Sequence, residues 1–222
     1  MIRLYDFELS GNCYKVRLLL KMLGVPFERV IVEFYPAREH KSPEFLKINP
    51  LGQLPVIDDD GFVLRDAQAI LVYLAARYDQ SGKWHPRTDA KLAGLIAMWL
   101  AFADALTATV SAARLHDVFL YELDVVAARN GAVALFRVMD EHLWFQEQQG
   151  YNWLCPQGHP TIADLACFPY VMLSEEGGIS RMPFPALRRW CDRLKRLPSY
   201  FVMAGIFPAE PPEPLAVEVD HA

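Results

Sequence analysis

One short turn places a serine and a cysteine at the start of a helix. The residues Ser10-Gly11-Asn12-Cys13 separate a β-rich run from the first helical pattern. A helix N-terminus presents free N–H groups and a partial positive charge, so an anion is favoured there. A thiol held at that point ionises more readily, and Ser10 can donate a hydrogen bond to the thiolate. Simple capping of the helix by Ser10 or Asn12 explains the same residues, and both interpretations stay open.

A proline-containing segment before a predicted strand is the second candidate feature. It spans residues 49–57 and has the sequence NPLGQLPVI. A proline that opens a strand is tolerated only where its missing N–H is not needed. A cis bond between Leu54 and Pro55 would leave the preceding backbone groups free to pair with a peptide-like ligand. The alternative is an ordinary turn before an edge strand.

An aspartate opens the next helical pattern. Asp66 follows Leu64 and Arg65 and precedes a helix that we expect to run to about Tyr78. Its carboxylate suits an N-cap, and the free N–H groups behind it can hold the carboxylate of a ligand. Capping without any ligand is the alternative here as well.

The elements around these features follow a regular order. Before residue 80, strand and helix patterns alternate as β-α-β-α-β-β-α, with a hairpin signal, DDDG, at residues 58–61. An early βαβ unit followed by a hairpin and a helix predicts a small α/β domain. Residues 79–87 are polar and contain Gly82 and Pro86, which indicates a linker.

Strand signals disappear after the linker. Long helices are predicted from Leu92 onward and over roughly 123–148. Thr161 and Asp164 have the spacing of a capping box at the start of an apolar helix. A further helical pattern covers 185–197, and the proline-rich, acidic tail from Pro208 is expected to be frayed.

Composition and charge argue against several classes of function. The 222 residues carry a net charge of −5 with no block of Lys and Arg, so nucleic acid is not an expected partner. No uncharged apolar run approaches the roughly 18 residues of a membrane span, and no apolar signal peptide begins the chain. The four cysteines lack zinc-ligand spacing and a Cys-x-x-Cys pair, so no metal is expected. Scattered thiols in this context indicate a cytoplasmic protein.

Taken together, these features resemble the glutathione S-transferase family over nearly the whole chain. The resemblance rests on the order of the three N-terminal features, the linker, the long helical pair and the sequence TIAD at 161–164. It implies an α/β thioredoxin-like N-terminal domain that binds glutathione (residues 1–79) and an all-α helical C-terminal domain (88–207), with a flexible tail (208–222). It also implies a cytoplasmic homodimer that uses glutathione as cosubstrate and no metal. The serine at position 10 is similar to that of the theta-, zeta- or beta-like bacterial classes.

The resemblance implies which residues act on the glutathione thiol. Ser10 matches the catalytic serine that stabilises the glutathione thiolate, and Asn12 in the same turn can share or take over that role. Cys13 stands where thioredoxin-like redox enzymes carry their second cysteine. Because position 10 is a serine, a dithiol mechanism that uses Cys13 is not available.

The resemblance also implies a set of glutathione-binding residues. Pro55 matches the family's cis-proline, and Leu54 would then offer backbone hydrogen bonds to the cysteinyl unit. Asp66 matches the acid that meets the γ-glutamyl end, while Lys41 either meets the glycyl carboxylate or is simply solvated. The implied glutathione-binding residues are Lys41, Gln53, Leu54, Pro55, Asp66 and Ala67.

Ala67 is a departure from the family pattern. A serine usually follows the acid that opens this helix, so a hydroxyl donor to the γ-glutamyl carboxylate is missing here. A hydrogen bond to a charged group is worth about 1.5–3 kcal/mol where it is desolvated. Glutathione binding is therefore expected either to be weaker than usual or to be compensated by other groups.

The pocket for the second substrate is expected between the two domains. Arg114 lies in an otherwise apolar stretch, so it either pairs with an internal acid or meets an anionic substrate. Asp104 either faces a dimer axis or is solvated or paired. The expected lining residues of this pocket are Phe7, Tyr14, Phe102, Leu106 and Arg114.

The implied activity is attack of the glutathione thiolate on a small, hydrophobic electrophile. Glutathione-dependent peroxide reduction or isomerisation are alternatives at the same site. The zeta isomerases usually carry Ser-Ser-Cys at the turn, whereas this chain has Ser10-Gly11-Asn12, which disfavours maleylacetoacetate isomerisation. A non-catalytic relative that keeps the fold as a binding or scaffold protein is a further alternative. Ser10 favours the enzyme and Ala67 favours the scaffold.

Overall fold

The computed structural model describes residues 1–205 and has the two-part architecture expected from the sequence. The predicted order β-α-β-α-β-β-α is confirmed, and the later part of the chain is helical. The elements of the first part are β1 (Ile2–Asp6), α1 (Gly11–Met22), β2 (Phe27–Ile31), α2 (Pro43–Ile48), β3 (Val56–Asp59), β4 (Phe62–Arg65) and α3 (Ala67–Tyr78). The tail predicted from Pro208 lies outside the described residues, and the domain boundaries near the 79–89 connection stay a prediction.

One four-stranded sheet forms the centre of the N-terminal half, in the strand order β2-β1-β3-β4. β1 runs parallel to β2 and antiparallel to β3. The β3–β4 hairpin reverses at Asp60 and Gly61, whose φ angles of 51° and 95° suit a tight hairpin turn. The parallel connection places the start of α1 beyond the C-terminal end of β1, where the Ser10 turn lies.

Among the described residues, the helical half contains five α-helices, because the long helix predicted from Leu92 onward continues as two helices joined by a π turn. Its elements are α4 (Ala90–Leu106), α5 (Ala112–Phe119), α6 (Val125–Gln148), α7 (Ile162–Met172) and α8 (Pro185–Lys195). α4 continues through a wide π turn at Thr107–Ser111 into α5. The hydroxyls of Thr107 and Thr109 donate to carbonyls four residues back, at 2.9 and 2.8 Å. Such bonds compete with the regular helical ladder, which explains the local widening.

The continuous helical segment from Ala90 to Phe119 is long and apolar enough to cross a membrane by length and composition alone, although it contains no uncharged run of that length. In this fold Ile96, Trp99 and Ala103 are buried, and α4 packs against α7. A core helix of a globular domain has the same composition, so this segment is weak evidence for a membrane span.

Helix α1 belongs to the core of both halves. Its residues from Cys13 to Leu20 are all buried, and the helix packs against α3 on one side and α7 on the other. Lys15 is fully buried, its Nζ has no hydrogen-bond partner within residues 1–205, and it lies 5.2 Å from the centroid of the Tyr170 ring. Burial lowers the pKa of Lys15 to about 8. α1 therefore cannot move without disturbing both halves.

A buried carboxylate ties the helical half together and confirms the predicted capping box. Asp164 Oδ2 accepts from the Thr161 N–H at 2.8 Å, and the Thr161 hydroxyl accepts from the helix in return. Asp164 Oδ1 accepts from the Leu154 N–H and from the Trp190 indole, each at 2.9 Å. One carboxylate thus links the start of α7 to the preceding loop and to α8.

Asp164→Ala should lower the free energy of unfolding by at least about 3 kcal/mol, because three buried N–H donors lose their acceptor. Asp192→Ala is the control, since within residues 1–205 its exposed carboxylate on α8 pairs with Lys195 alone, at 3.1 Å. A loss below about 1 kcal/mol is expected for that surface pair. Urea unfolding of both variants measures the difference, and similar small losses would contradict the assigned role of Asp164.

Candidate functional site

A cavity of about 490 Å³ opens between the two halves of the molecule. The N-terminal half contributes the Ser10 turn, the chain around residues 34–41, residues 49–55 and the start of α3. The helical half contributes residues between 104 and 121, together with Tyr170. The predicted site residues that line it are Phe7, Ser10, Asn12, Lys41, Gln53, Leu54, Pro55, Asp66, Ala67 and Arg114. A second cavity of about 590 Å³, beside α6, contains none of the predicted residues.

Ser10 is the N-cap of α1 and faces the cavity. Its φ and ψ angles of −81° and 120° are extended, and its Oγ accepts from the Cys13 N–H at 3.2 Å. Accepting that bond leaves the hydroxyl its proton to donate to a ligand atom. Asn12 also lines the cavity, and its Oδ1 is buried without a hydrogen-bond partner in the described part of the chain.

Cys13 does not line the cavity. It is fully buried, and burial raises the pKa of its thiol to about 12. A thiol with that pKa stays protonated at neutral pH and is a poor nucleophile. The helix N-terminus therefore offers its N–H groups and the Ser10 hydroxyl to a ligand rather than presenting a reactive thiol of its own.

The chain between His40 and Pro55 contributes another part of the cavity wall. The Leu54–Pro55 bond is cis, and the Lys41 ammonium donates to the Leu51 carbonyl at 3.0 Å. Gly52 has a φ of 56°, and a Cβ there would lie 2.7 Å from the His40 carbonyl oxygen. Only glycine allows the His40 carbonyl to lie this close to position 52. This close contact keeps Lys41 beside residues 51–54.

The start of α3 also lines the cavity. Asp66 is its N-cap, with a φ of 76°, and its carboxylate accepts from the Ala69 N–H at 2.9 Å. Ala67 and Gln68 come before Ala69 in the first turn of α3, and their N–H groups are available to bind an anion. The Gln68 amide bonds to the Asp104 carboxylate, and burial, followed by the charge of Asp66, raises the pKa of Asp104.

Arg114 pairs with an internal acid, one of its two expected alternatives. It is 4% exposed, and its Nε donates to Glu176 at 2.5 Å. Its Nη1 also donates to the Leu9 carbonyl at 2.7 Å, a contact between the two halves that the sequence did not indicate.

Three residues expected in the second-substrate pocket lie elsewhere. Tyr14 and Leu106 are fully buried in the core, and Tyr14 donates its hydroxyl to the Phe201 carbonyl at 2.6 Å. Phe102 packs edge-on against Trp99. Each belongs to a helix whose apolar face meets another helix, so the side chains pack between elements and do not reach the cavity.

Several cavity residues were missed by the sequence analysis. His40 is buried and stacks on Phe34 with ring centroids 4.1 Å apart. Burial, then the charges of Lys41 and Arg38, lowers the pKa of His40, so the ring is neutral at pH 7. Its position next to Lys41 was an available signal. The other missed residues include Phe34, Phe119, Tyr121 and Tyr170, which come from separate segments.

The N-terminal half matches a family model. Residues 4–82 match the N-terminal domain of glutathione S-transferases. Glutathione S-transferase 1 of Dianthus caryophyllus is 39% identical over 80 residues, so the match spans 36% of either chain. Glutathione S-transferase D7 of Anopheles gambiae is 28% identical over 193 residues, 86% of this chain and 85% of that protein.

Solved structures resemble nearly the whole chain. A glutathione transferase homolog from Lodderomyces elongisporus, whose structure holds two GSH per subunit, is 27% identical and covers 89% of this chain and 94% of its own, with a TM-score of 0.78. A glutathione S-transferase from Xanthobacter autotrophicus Py2 is 30% identical, with a TM-score of 0.80, over 91% of this chain and 97% of that one. Because this likeness extends over both halves and the first half matches the family's N-terminal domain, the chain belongs to the glutathione S-transferase family.

Proposed function

We propose that the protein is a glutathione transferase in which the Ser10 hydroxyl stabilises the glutathione thiolate for attack on a small electrophile. The observation that carries this proposal is the position of Ser10, at the N-terminus of α1 and on the wall of a cavity that also contains Pro55 and the start of α3. A hydroxyl donor and a helix N-terminus both favour an anionic sulfur over a neutral thiol.

We assign the three parts of glutathione to three walls of the cavity. The γ-glutamyl carboxylate would meet the N–H groups at the start of α3, with Asp66 beside its ammonium group. The cysteinyl unit would pair with the backbone of Leu54, as peptide-like ligands pair with exposed strand edges. The glycyl carboxylate would lie near Lys41 and the missed residue His40. This arrangement directs the sulfur toward Ser10.

The electrophile would occupy the aromatic part of the cavity. Phe34 contacts three other rings there. The centroid of its ring lies 5.5 Å from that of Phe7, 6.4 Å from that of Phe119 and 6.3 Å from that of Tyr121. These rings favour a flat, apolar molecule. In the reaction the thiolate forms a carbon–sulfur bond, and the leaving group departs with the electron pair of the bond that breaks.

Two further properties extend the proposal. We infer a homodimer in the cytoplasm, because glutathione S-transferases are generally dimeric and apolar side chains are exposed on β4 and α4. Phe62 and Val63 on β4 are 49% and 48% exposed, and Met98 on α4 is 51% exposed.

The second candidate function is a non-catalytic binding protein of the same fold. Ala67 favours it, since the missing hydroxyl weakens the expected glutathione site.

Ser10→Ala should reduce turnover of an aryl halide at neutral pH by about ten- to a thousandfold, the scale of losing one positioned hydrogen-bond donor. Activity should recover toward alkaline pH, where the thiolate forms without help. Steady-state kinetics across pH measure both effects.

Ser42→Ala is the matched control for Ser10→Ala. Ser42 caps α2 and accepts from the Phe45 N–H at 3.1 Å, much as Ser10 accepts from Cys13. It should cost about 1 kcal/mol of stability and leave turnover unchanged. If Asn12→Ala abolishes turnover while Ser10→Ala is nearly silent, the role belongs to Asn12. A wild type that binds glutathione and turns over no electrophile supports the binding protein.

Ala67→Ser should tighten glutathione binding by about two- to tenfold, because a charged acceptor gains a preorganised donor. Ala69→Ser adds the same hydroxyl to the same helical turn outside the cavity lining, so it should leave affinity unchanged. Calorimetric titration with glutathione compares the two variants. Unchanged affinity in Ala67→Ser would mean that another group already donates to the γ-glutamyl carboxylate. A tenfold loss of affinity would mean that the γ-glutamyl group does not bind at the start of α3.

A further inference from the structure

Two buried arginines hold the turn that precedes Ser10. The Glu8 carbonyl accepts from Arg17 at 2.8 Å, and the Leu9 carbonyl accepts from Arg114 at 2.7 Å. Each arginine is 4% exposed. Arg17 is close to the turn in sequence, but Arg114 belongs to α5 of the helical half and is 105 residues from Leu9.

The peptide unit between Leu9 and Ser10 is fixed at both polar ends. Its N–H, on Ser10, donates to the Phe7 carbonyl at 3.0 Å, and its C=O, on Leu9, accepts from Arg114. Because a peptide unit is planar, rotating it would break both bonds. The orientation of this plane, together with the φ angle of −81° at Ser10, sets the direction of the Ser10 Cα–Cβ bond.

Arg114 is itself held in place. Its Nε donates to Glu176, and its guanidinium carbon lies 5.4 Å from the centroid of the Phe119 ring. Gly177 allows this arrangement, since a Cβ there would lie 2.8 Å from the Arg114 backbone nitrogen. A planar guanidinium held on two edges has little freedom, so its bond to Leu9 has a fixed direction.

We propose that Arg114 is a positioning residue that acts through the Leu9 carbonyl to hold the Ser10 hydroxyl toward the glutathione sulfur. This inference rests on the proposed function of Ser10. It makes the helical half responsible for part of thiol activation in addition to shaping the second-substrate pocket. Without the guanidinium, the Leu9 carbonyl loses its partner and the peptide unit is fixed at one end alone.

The test is the pKa of the bound glutathione thiol, measured by thiolate absorbance across pH. In Arg114→Met that pKa should rise by about one unit, as expected when a hydrogen bond to the charged form is misaligned. Turnover at pH 6.5 should fall about tenfold and recover at high pH, with KM for glutathione within about twofold of wild type. Arg114→Lys should recover part of the loss, because an ammonium can still donate to the Leu9 carbonyl.

Arg129→Met is the matched control. Arg129 donates to the Gly177 carbonyl at 2.9 Å and to Asp117 at 2.6 Å, so it braces the same region of the helical half without touching the Ser10 turn. It should lower stability and leave the thiol pKa unchanged. An equal rise of the thiol pKa in Arg129→Met, or no rise in Arg114→Met, would overturn the inference.

Two further measurements keep the outcomes distinct. If Arg114→Met does not fold, the Arg114→Met/Glu176→Gln double variant removes both buried charges, and the same rise in thiol pKa is expected from it. If wild type does not lower the thiol pKa of bound glutathione, the proposed function of Ser10 is wrong and this inference fails with it. If wild type and Arg114→Met lower that pKa equally, the role of Arg114 alone is wrong.

Discussion

Burial of α1 between two other helices is the constraint on which the site depends. The helix that presents Ser10 packs against α3 and α7, and two of its charged residues, Lys15 and Arg17, are buried. Burying a charge is costly unless it is paired. Arg17 meets this requirement through Glu8, 2.9 Å away, and through Asp6 at 3.6 Å, whereas Lys15 has the Tyr170 ring as its close neighbour. A helix held in this way keeps its N-terminus, and therefore its partial positive charge, fixed relative to the cavity.

Residue type and local spacing predicted the parts of the fold that depend on local chemistry. Ser10, Asp66 and Thr161 are helix N-caps as expected, because a short polar side chain directly before an apolar helical pattern is typical of a cap. The hydrophobic periodicity of the helices did not predict what each apolar face packs against. Tyr14 and Leu106 lie on apolar faces, but an apolar face does not reveal whether it meets a cavity or another helix. The Arg114–Leu9 contact joins distant parts of the chain, and no local pattern signals it.

The proposed orientation of glutathione divides the charged residues of the cavity between two ends. Arg38 and Lys41 would define the first end, and the start of α3 with Arg65, Asp66 and Asp104 would define the second. Glutathione would present a single carboxylate to the first end and both an ammonium and a carboxylate to the second. The proposed orientation therefore matches cation to anion at the first end. At the second end, acidic side chains meet the ammonium while backbone N–H groups meet the carboxylate. Burial, followed by the nearby charge of Asp66, raises the pKa of Asp104.

Two aromatic residues that line the cavity lie in a different part of the fold from helix α1. Phe34 precedes the chain that carries His40, and Tyr121 follows the reversal at Leu120, where φ is 59°. Both lie in connecting segments outside the shared core around α1. Exchanging such side chains changes the shape of the pocket without creating a void in the core, whereas a change on α1 would disturb packing in both halves. Single substitutions of these aromatic side chains can therefore change the range of accepted electrophiles, while the residues that act on the glutathione thiol stay the same. Related proteins should accordingly diverge in substrate preference sooner than in their use of glutathione.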